Sequence, residues 1–189
     1  LPEAVRQGLI VPVFATSATS NVGVSRLLDF IAQYGPSPAD RPKVAAETAG
    51  GEPVEVSLDD KEAVVLVFKT MNELHVGLLS YLRLYSGELR TGGEAYNAST
   101  GEAERLGQLY RVSGSHREPV EVLRAGDIGA VVKLRNTHTG NTLCSASRKV
   151  RLPAIVFPPP NTHGALVAKS KSDLNKLGEG LAALHEEDP

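Results

Sequence analysis

Hydrophobic and polar positions near the start of the chain change from a continuous apolar run to a helical repeat. The run LIVPVFA (residues 9–15) is followed by the polar turn TSATSN and then by GVSRLLDFIAQY (23–34). A short apolar run containing Val and Ile indicates a buried parallel strand, whereas apolar residues three and four positions apart indicate an amphipathic helix. Residues 1–35 are therefore predicted to form part of an α/β domain, whose sheet needs neighbouring strands to be covered.

Between residues 54 and 152 the pattern becomes that of an all-β domain. Short apolar or alternating runs are separated by turn sequences rich in Gly, Asn, Asp and Ser. Six or more short strands in a segment of this length predict a closed β-barrel, which removes exposed sheet edges. The strand-like runs are AVVLVFKT, GLLSYLRLYSG, ERLGQLYRVSG, EVLRAGDIGAVVKL and TLCSASRKV.

The segments on either side of the barrel have other patterns. Residues 36–53 contain Pro36, Pro38 and Pro42 followed by the sequence ETAGGEP, which predicts an extended linker. Residues 153–189 contain a proline-rich crossing, the strand-like run HGALVAKS and a run with leucines at helical spacing. They are predicted to be the first βα unit of a further domain. The leucines of the predicted helix are Leu174, Leu177, Leu181 and Leu184.

Composition excludes several classes of protein. No apolar run approaches the roughly 18 residues of a membrane span. Cys144 is the only cysteine, so an intrachain disulfide is impossible; this fits a reducing compartment. None of the five histidines has the spacing of a zinc site. The net charge of −2 provides no overall attraction to nucleic acid, so any such binding requires a local patch.

One long interval of the sequence could supply that patch. No acidic residue occurs between Asp127 and Asp173. A positive surface built from this interval would bind phosphates with a strong dependence on salt. The basic residues of the interval are Lys133, Arg135, Arg148, Lys149, Arg151, Lys169 and Lys171, of which the first five are the predicted contacts.

The turn after the first apolar run has features of a guanine-recognition loop. Ser17 and Ala18 occupy a strand-to-helix turn, where a backbone N–H could meet the guanine oxygen. A polar turn without ligand is the alternative. The chain contains no Gly-Lys dipeptide and thus no phosphate-binding loop. The sequence NKLG (175–178) lacks the carboxylate that guanine recognition requires.

Taken in order, these segments resemble translation elongation factor G. The resemblance lies in VPVFATSATSNVGVSRLLDFIAQYGPSP, VFKTMNELHVGLLSYLRLYSGELRTG, the run from YNASTGEAERLGQLYRVSG to NTHTGNTLC, and FPPPNTHGALVAKSKSDLNKLGEGLAALHEEDP. It implies a mainly β fold. The end of a GTPase domain (1–35) would lead through the linker into a translation-factor barrel (54–152), and the start of a ferredoxin-like third domain (153–189) would follow. The phosphate-binding loop and switches would lie upstream, so the chain is interpreted as an excised, non-catalytic part of a larger GTPase.

The resemblance also implies cofactors and partners. The full-length protein would bind GTP or GDP with magnesium, whereas no cofactor is expected for this chain. Ser17 and Ala18 would read guanine only in the intact protein. The barrel would dock on the ribosome against small-subunit ribosomal RNA, in the cytoplasm, away from membranes, and the chain itself is expected to be monomeric. The parent's activity would be GTP-dependent translocation of tRNA and mRNA.

Two alternatives stay open at this stage. Asn141 stands where the family usually has Asp, and several runs diverge, so the parent could be a ribosome-recycling or ribosome-protection relative. From another class, the chain could be a stand-alone β-barrel interaction module without a GTPase. A start codon near Leu1 would favour the module, and an upstream phosphate-binding loop would exclude it.

Overall fold

The computed structural model describes residues 2–73, 77–168 and 170–189, except for the side chains of Ser172 and Asn175. This part of the chain divides into two compact units, with the boundary between Arg41 and Pro42. The helices are α1 Pro2–Arg6, α2 Val24–Tyr34 and α3 Lys171–Glu187, with a single 3-10 turn at Pro38–Asp40. Among the described residues, no helix is both long and apolar enough to cross a membrane.

Thirteen strands are present in the described part of the second unit. They are β1 Lys43–Thr48, β2 Pro53–Ser57, β3 Val64–Glu73, β4 Gly77–Ser86, β5 Glu88–Arg90, β6 Glu94–Asn97, β7 Glu102–Arg105, β8 Leu109–Ser113, β9 His116–Val120, β10 Val122–Arg124, β11 Ile128–Val132, β12 Thr142–Cys144 and β13 Val150–Arg151.

The strands form three antiparallel sheets that surround apolar cores. Eight strands pair in the order β7-β6-β12-β3-β4-β11-β8-β9, while β10 pairs with β5 and β1 lies between β13 and β2. One core receives Val65, Leu82, Leu109, Leu123 and Leu143, which come from five strands of the first two sheets. The mainly β, barrel-like fold predicted from the sequence is confirmed.

Alternation along β4 explains how this strand serves two surfaces. Leu82 and Leu84 are buried in the main core, whereas Tyr81, Arg83 and Tyr85 between and beside them are half-buried on the other face. Because successive side chains of a strand point to opposite faces, the period of two places the leucines together. The same pattern was the signal that predicted the strand.

The predicted linker is partly wrong. Residues 43–48 of that segment form β1, which pairs with β2 and β13. Ala46 of β1 packs with Val56, Val64 and Val150 in a second core on the outer side of the barrel. The hairpin of β1 and β2 therefore belongs to the folded unit, because its alternating apolar side chains pack against residues of the barrel. The proposed domain boundaries themselves stay predictions.

Two predicted strands are absent. Residues 9–15 form no strand; Leu9, Val11 and Val13 are 73, 81 and 91% exposed. Residues 163–168 of HGALVAKS also form no strand, while Lys169 lies outside the described residues. An isolated apolar run has no partner for its backbone N–H and C=O groups, so its β propensity is not realised without a neighbouring strand. The two predicted helices are present as α2 and α3.

Candidate nucleic-acid interface

The turn that carries Ser17 and Ala18 is closed by its own backbone. Ser17 and Val22 exchange two N–H···O bonds of 3.0 Å, and the Asn21 N–H donates to the Ala18 carbonyl. The Ser17 hydroxyl accepts from the Ser20 N–H at 3.3 Å. Ala18 is exposed, and its N–H bonds to none of the described residues. A backbone donor without a partner in this part of the chain is the group that the guanine hypothesis requires; the hypothesis itself stays a prediction.

Lys133 and Arg135 lie together at the end of β11. Both are exposed, and with Arg105 from β7 they line one open cavity of about 580 Å³. None of the three forms an ion pair with a residue that the structure describes. Among the described residues that line the cavity, Glu104 is the only acidic one, so three cations and a single carboxylate surround it.

That carboxylate is occupied by the backbone of the basic segment. Glu104 is 3% exposed and accepts hydrogen bonds from the Arg135 N–H at 3.2 Å, the Asn136 N–H at 2.6 Å and the Thr137 hydroxyl at 2.8 Å. A buried carboxylate that accepts several N–H and O–H bonds fixes the segment that donates them. Glu104 therefore holds the backbone of residues 135–137 in place while the Arg135 side chain stays exposed.

The backbone near Lys133 is constrained as well. Lys133 has φ 66°, a left-handed conformation that side chains other than Gly rarely adopt and that costs of the order of 1–3 kcal/mol. On the facing strand connection, a Cβ at Gly107 would lie 2.3 Å from the Val132 carbonyl oxygen. A glycine is required there because the two backbones approach closely. The result is a narrow crossing that brings Lys133 beside Arg105.

Arg148, by contrast, is engaged inside the molecule. Its guanidinium contacts the Asp60 carboxylate at 2.5 Å and donates to the Glu55 carbonyl at 3.0 Å. The bond from Arg148 is the main cause that lowers the pKa of Asp60, and the bond from the Ser57 N–H adds to it. A phosphate that recruited Arg148 would have to replace Asp60, so this residue is a weaker candidate for a nucleic-acid contact.

Lys149 and Arg151 have partners that are easier to replace. The Lys149 ammonium lies 4.1 Å from the centre of the Tyr96 ring, and Arg151 lies 3.4 Å from the Glu47 carboxylate. Both side chains are exposed and line a separate cavity of about 390 Å³. The five predicted contacts thus fall into two groups. Lys133 and Arg135 line the first cavity, whereas Lys149 and Arg151 line the second and Arg148 lies beside them in sequence but lines neither.

Sequence reasoning missed Arg105 and Glu104. Neither stands out in the run ERLGQ, because nothing in its spacing relates it to Lys133. The pairing of β7 with β6 and the crossing at Gly107 bring them together. Elsewhere in the barrel, Cys144 is buried and its burial raises the pKa of the thiol, the tyrosines are half-buried, and Asp127 accepts from the Arg124 N–H at 2.8 Å in the turn.

The departure at Asn141 is compatible with the fold. Its Oδ1 atom accepts from the His138 N–H at 3.1 Å and from the Asn97 amide at 3.0 Å. An aspartate could accept both bonds with the same atom, because both roles are those of an acceptor. Asn97 also bonds to the Asn136 carbonyl and to Thr137, so residues 136–141 are held as one turn.

Comparisons with known proteins identify a family model and relatives that match this chain. Residues 62–146 match the family model described as elongation factor G domain 2. The chain is 42% identical over 181 residues to elongation factors G from three strains of Dehalococcoides mccartyi (195, BAV1 and CBDB1), and each alignment covers 95% of this chain. The chain spans 26% of the length of these relatives.

A solved structure is similar to this chain as well. A crystal structure of a Thermus thermophilus protein superposes with a TM-score of 0.75 at 34% identity, covering 99% of this chain and 26% of the other. The match to the domain model includes every strand from β3 to β12 and the candidate cations Arg105, Lys133 and Arg135. The chain therefore belongs to the elongation factor G family, and residues 62–146 correspond to domain 2 of that family.

Proposed function

We propose that this chain is the ribosome-docking part of a GTP-dependent translation elongation factor that translocates tRNA and mRNA. The alignment over 95% of the chain with elongation factors G is the observation that carries this proposal. The whole protein would hold the phosphates of GTP or GDP and the magnesium through residues outside this chain, and would act in the cytoplasm on the ribosome. Ser17 and Ala18 would contribute to guanine binding in that whole protein. The chain alone would bind no nucleotide and catalyse no hydrolysis, because it has no Gly-Lys phosphate loop.

Docking would use the cations that are not engaged elsewhere. Lys133, Arg135 and the newly identified Arg105 line one cavity and have no ion-pair partner among the described residues. Such cations can neutralise RNA phosphates without first breaking an internal contact, which would cost free energy. Arg148, Lys149 and Arg151 would be secondary contacts, because each must first leave Asp60, Tyr96 or Glu47.

Aromatic stacking on bases would contribute little. Tyr81, Tyr85, Tyr96 and Tyr110 are half-buried and pack against apolar clusters of the barrel. The proposed interface is therefore one that reads the phosphate backbone and the shape of the RNA rather than base identity.

Binding to purified small ribosomal subunits, measured by sedimentation across a series of salt concentrations, tests the proposal. The variant Arg105→Ala/Lys133→Ala/Arg135→Ala should make the affinity less dependent on salt. The magnitude of the slope of log affinity against log salt should fall by about two to three, since each lost phosphate contact removes about 0.7–0.9. A matched variant, Lys61→Ala/Arg124→Ala/Lys176→Ala, removes three exposed cations elsewhere and should leave the slope almost unchanged.

Two outcomes would contradict parts of the proposal. Equal losses in the two variants would mean that binding follows net charge rather than this cavity. Failure of the wild-type chain to bind subunits at low salt would contradict docking by this chain as a whole. In the intact protein, GTP turnover that ribosomes do not stimulate would contradict the translocation cycle.

A further inference from the structure

The last turn of α3 contacts the barrel through polar groups. The Asn72 N–H of β3 donates to the Glu187 carboxylate at 2.8 Å, and the Lys69 ammonium, also of β3, donates to the Glu187 carbonyl. The Glu186 carboxylate lies 2.5 Å from the His138 Nδ1 atom. Glu186 and Glu187 are half-buried and face the barrel.

Lys69 also corrects an electrostatic problem of this helix. Negative charges at the C-terminus of a helix are disfavoured, because the last carbonyls already carry a partial negative charge. The Lys69 ammonium bonds to the Glu187 carbonyl and so places a positive charge at that end. Docking on β3 therefore offsets part of the unfavourable interaction between the two adjacent glutamates and this end of the helix.

The contact is incompletely satisfied. Glu186 has one carboxylate oxygen, Oε2, on His138, while its Oε1 atom is buried without a hydrogen-bond partner among the described residues. A buried carboxylate oxygen without a partner costs free energy that solvation would recover. The docked arrangement is therefore held by a small number of polar contacts and opposed by a desolvation penalty.

Most of the apolar face of α3 is exposed. Leu174, Leu181 and Leu184 of α3 are 57, 45 and 63% exposed, so its apolar stripe is mostly uncovered. Residues 153–168, which lead from the barrel towards the helix, form neither helix nor strand and are nearly all exposed. The polar contacts of the last turn are thus the described feature that fixes α3 to the barrel.

We propose that Glu186 and Glu187, with Lys69, Asn72 and His138, form a polar latch that fixes α3 to the barrel and can open without unfolding it. When the latch opens, Glu186 regains full hydration and the helix separates from β3 as a unit. The barrel keeps its cores, because none of the five latch residues belongs to them. All contacts of the latch lie within the second unit, so its test requires no ribosome.

Hydrogen exchange of backbone amides, resolved by residue, tests the latch in the whole chain. The variant Glu186→Ala/Glu187→Ala should speed exchange in α3 about tenfold or more, while amides of β3, β4 and β11 keep their wild-type rates. Alanine has a higher intrinsic helix propensity than glutamate, and the change removes two charges that the helix dipole disfavours. Faster exchange would therefore arise from the lost contacts and not from a weaker helix.

Two further variants make the test specific. Asp188→Ala removes a neighbouring exposed carboxylate that the helix dipole also disfavours, and should therefore not speed α3 exchange. His138→Ala breaks the latch from the barrel side and should speed α3 exchange in the same direction. The latch is contradicted if α3 rates stay the same in the double variant, if barrel amides accelerate equally, or if Asp188→Ala has the same effect.

Discussion

The two basic segments of the barrel, residues 133–135 and 148–151, are similar in sequence and different in structure. Lys133 and Arg135 are exposed cations whose backbone is positioned from below by Glu104. Arg148, Lys149 and Arg151 each contact a group of the same molecule. A charge count cannot separate the two segments; the position of acidic and aromatic neighbours from distant strands does. A cation that contacts such a neighbour contributes to stability. A cation without one remains available for a ligand.

The largest expected effect concerns the support beneath the first segment. Glu104→Ala leaves the Arg135 and Asn136 N–H groups and the Thr137 hydroxyl without their acceptor, which should lower the free energy of unfolding by about 3 kcal/mol. Urea unfolding followed by circular dichroism measures this change. Glu104→Gln keeps one acceptor oxygen and should cost less than half as much. Equal costs would contradict the expectation that one remaining acceptor oxygen supports the segment, and would mean that the full carboxylate is required.

The next effect concerns the second segment. Arg148→Ala removes the ion pair to Asp60 and the bond to the Glu55 carbonyl, and should destabilise the chain by about 2 kcal/mol. Arg124→Ala, which removes an exposed cation, is the control and should cost less than about 0.5 kcal/mol. A loss of stability no larger than the control would place Arg148 with the available cations.

The Asp60 partner makes part of this stability dependent on pH. Because the pKa of Asp60 is lowered in the folded state, its contribution is complete above the unfolded value near 4 and is lost as the pH falls through the folded value. Asp60→Asn should thus show a shallower loss of stability below about pH 4 than the wild type. Urea titrations between pH 5 and pH 2 measure it. The pKa of Asp40 in the other unit is lowered as well, but Asp40 is present in both proteins and contributes equally to both curves. If stability fell with pH equally in the wild type and in Asp60→Asn, this pH dependence could not be assigned to Asp60.

A smaller effect is expected at Lys149. Its ammonium lies over the Tyr96 ring, and exposed contacts of this kind contribute about 0.5–1 kcal/mol. Lys149→Met should therefore lower the free energy of unfolding by that amount or less, and the double change with Tyr96→Leu should cost less than the sum of the two. A strictly additive double-mutant cycle would show that the two side chains do not interact.

The smallest effect is expected at Arg135. Arg135→Ala removes an exposed side chain without an ion-pair partner among the described residues, so stability should change by less than about 0.5 kcal/mol. The same variant should weaken binding to ribosomal subunits under the proposed function. A stability loss like that of Arg148→Ala would remove the distinction between the two basic segments.

Most of the barrel could be predicted because its signals are local. Alternating apolar residues and glycine-containing turns identified strands such as β3 and β4, and helical spacing identified α2 and α3. The errors occur where a strand needs a partner that the pattern does not show. The run 9–15 is exposed without one, whereas residues 43–48, interpreted as linker, find β2 and β13.

The sequence by itself determined most of the secondary structure of the barrel, the absence of a phosphate-binding loop and, through collinear resemblance, the family. Those properties depend on local periodicity, on composition or on motif order. Only the tertiary structure decided which cations are engaged and which are available, that Arg105 joins Lys133 and Arg135, and that the acidic end of α3 faces β3. Each of these depends on strand pairing between residues distant in sequence, and hydrophobic patterning carries no information about where a surface charge meets its partner.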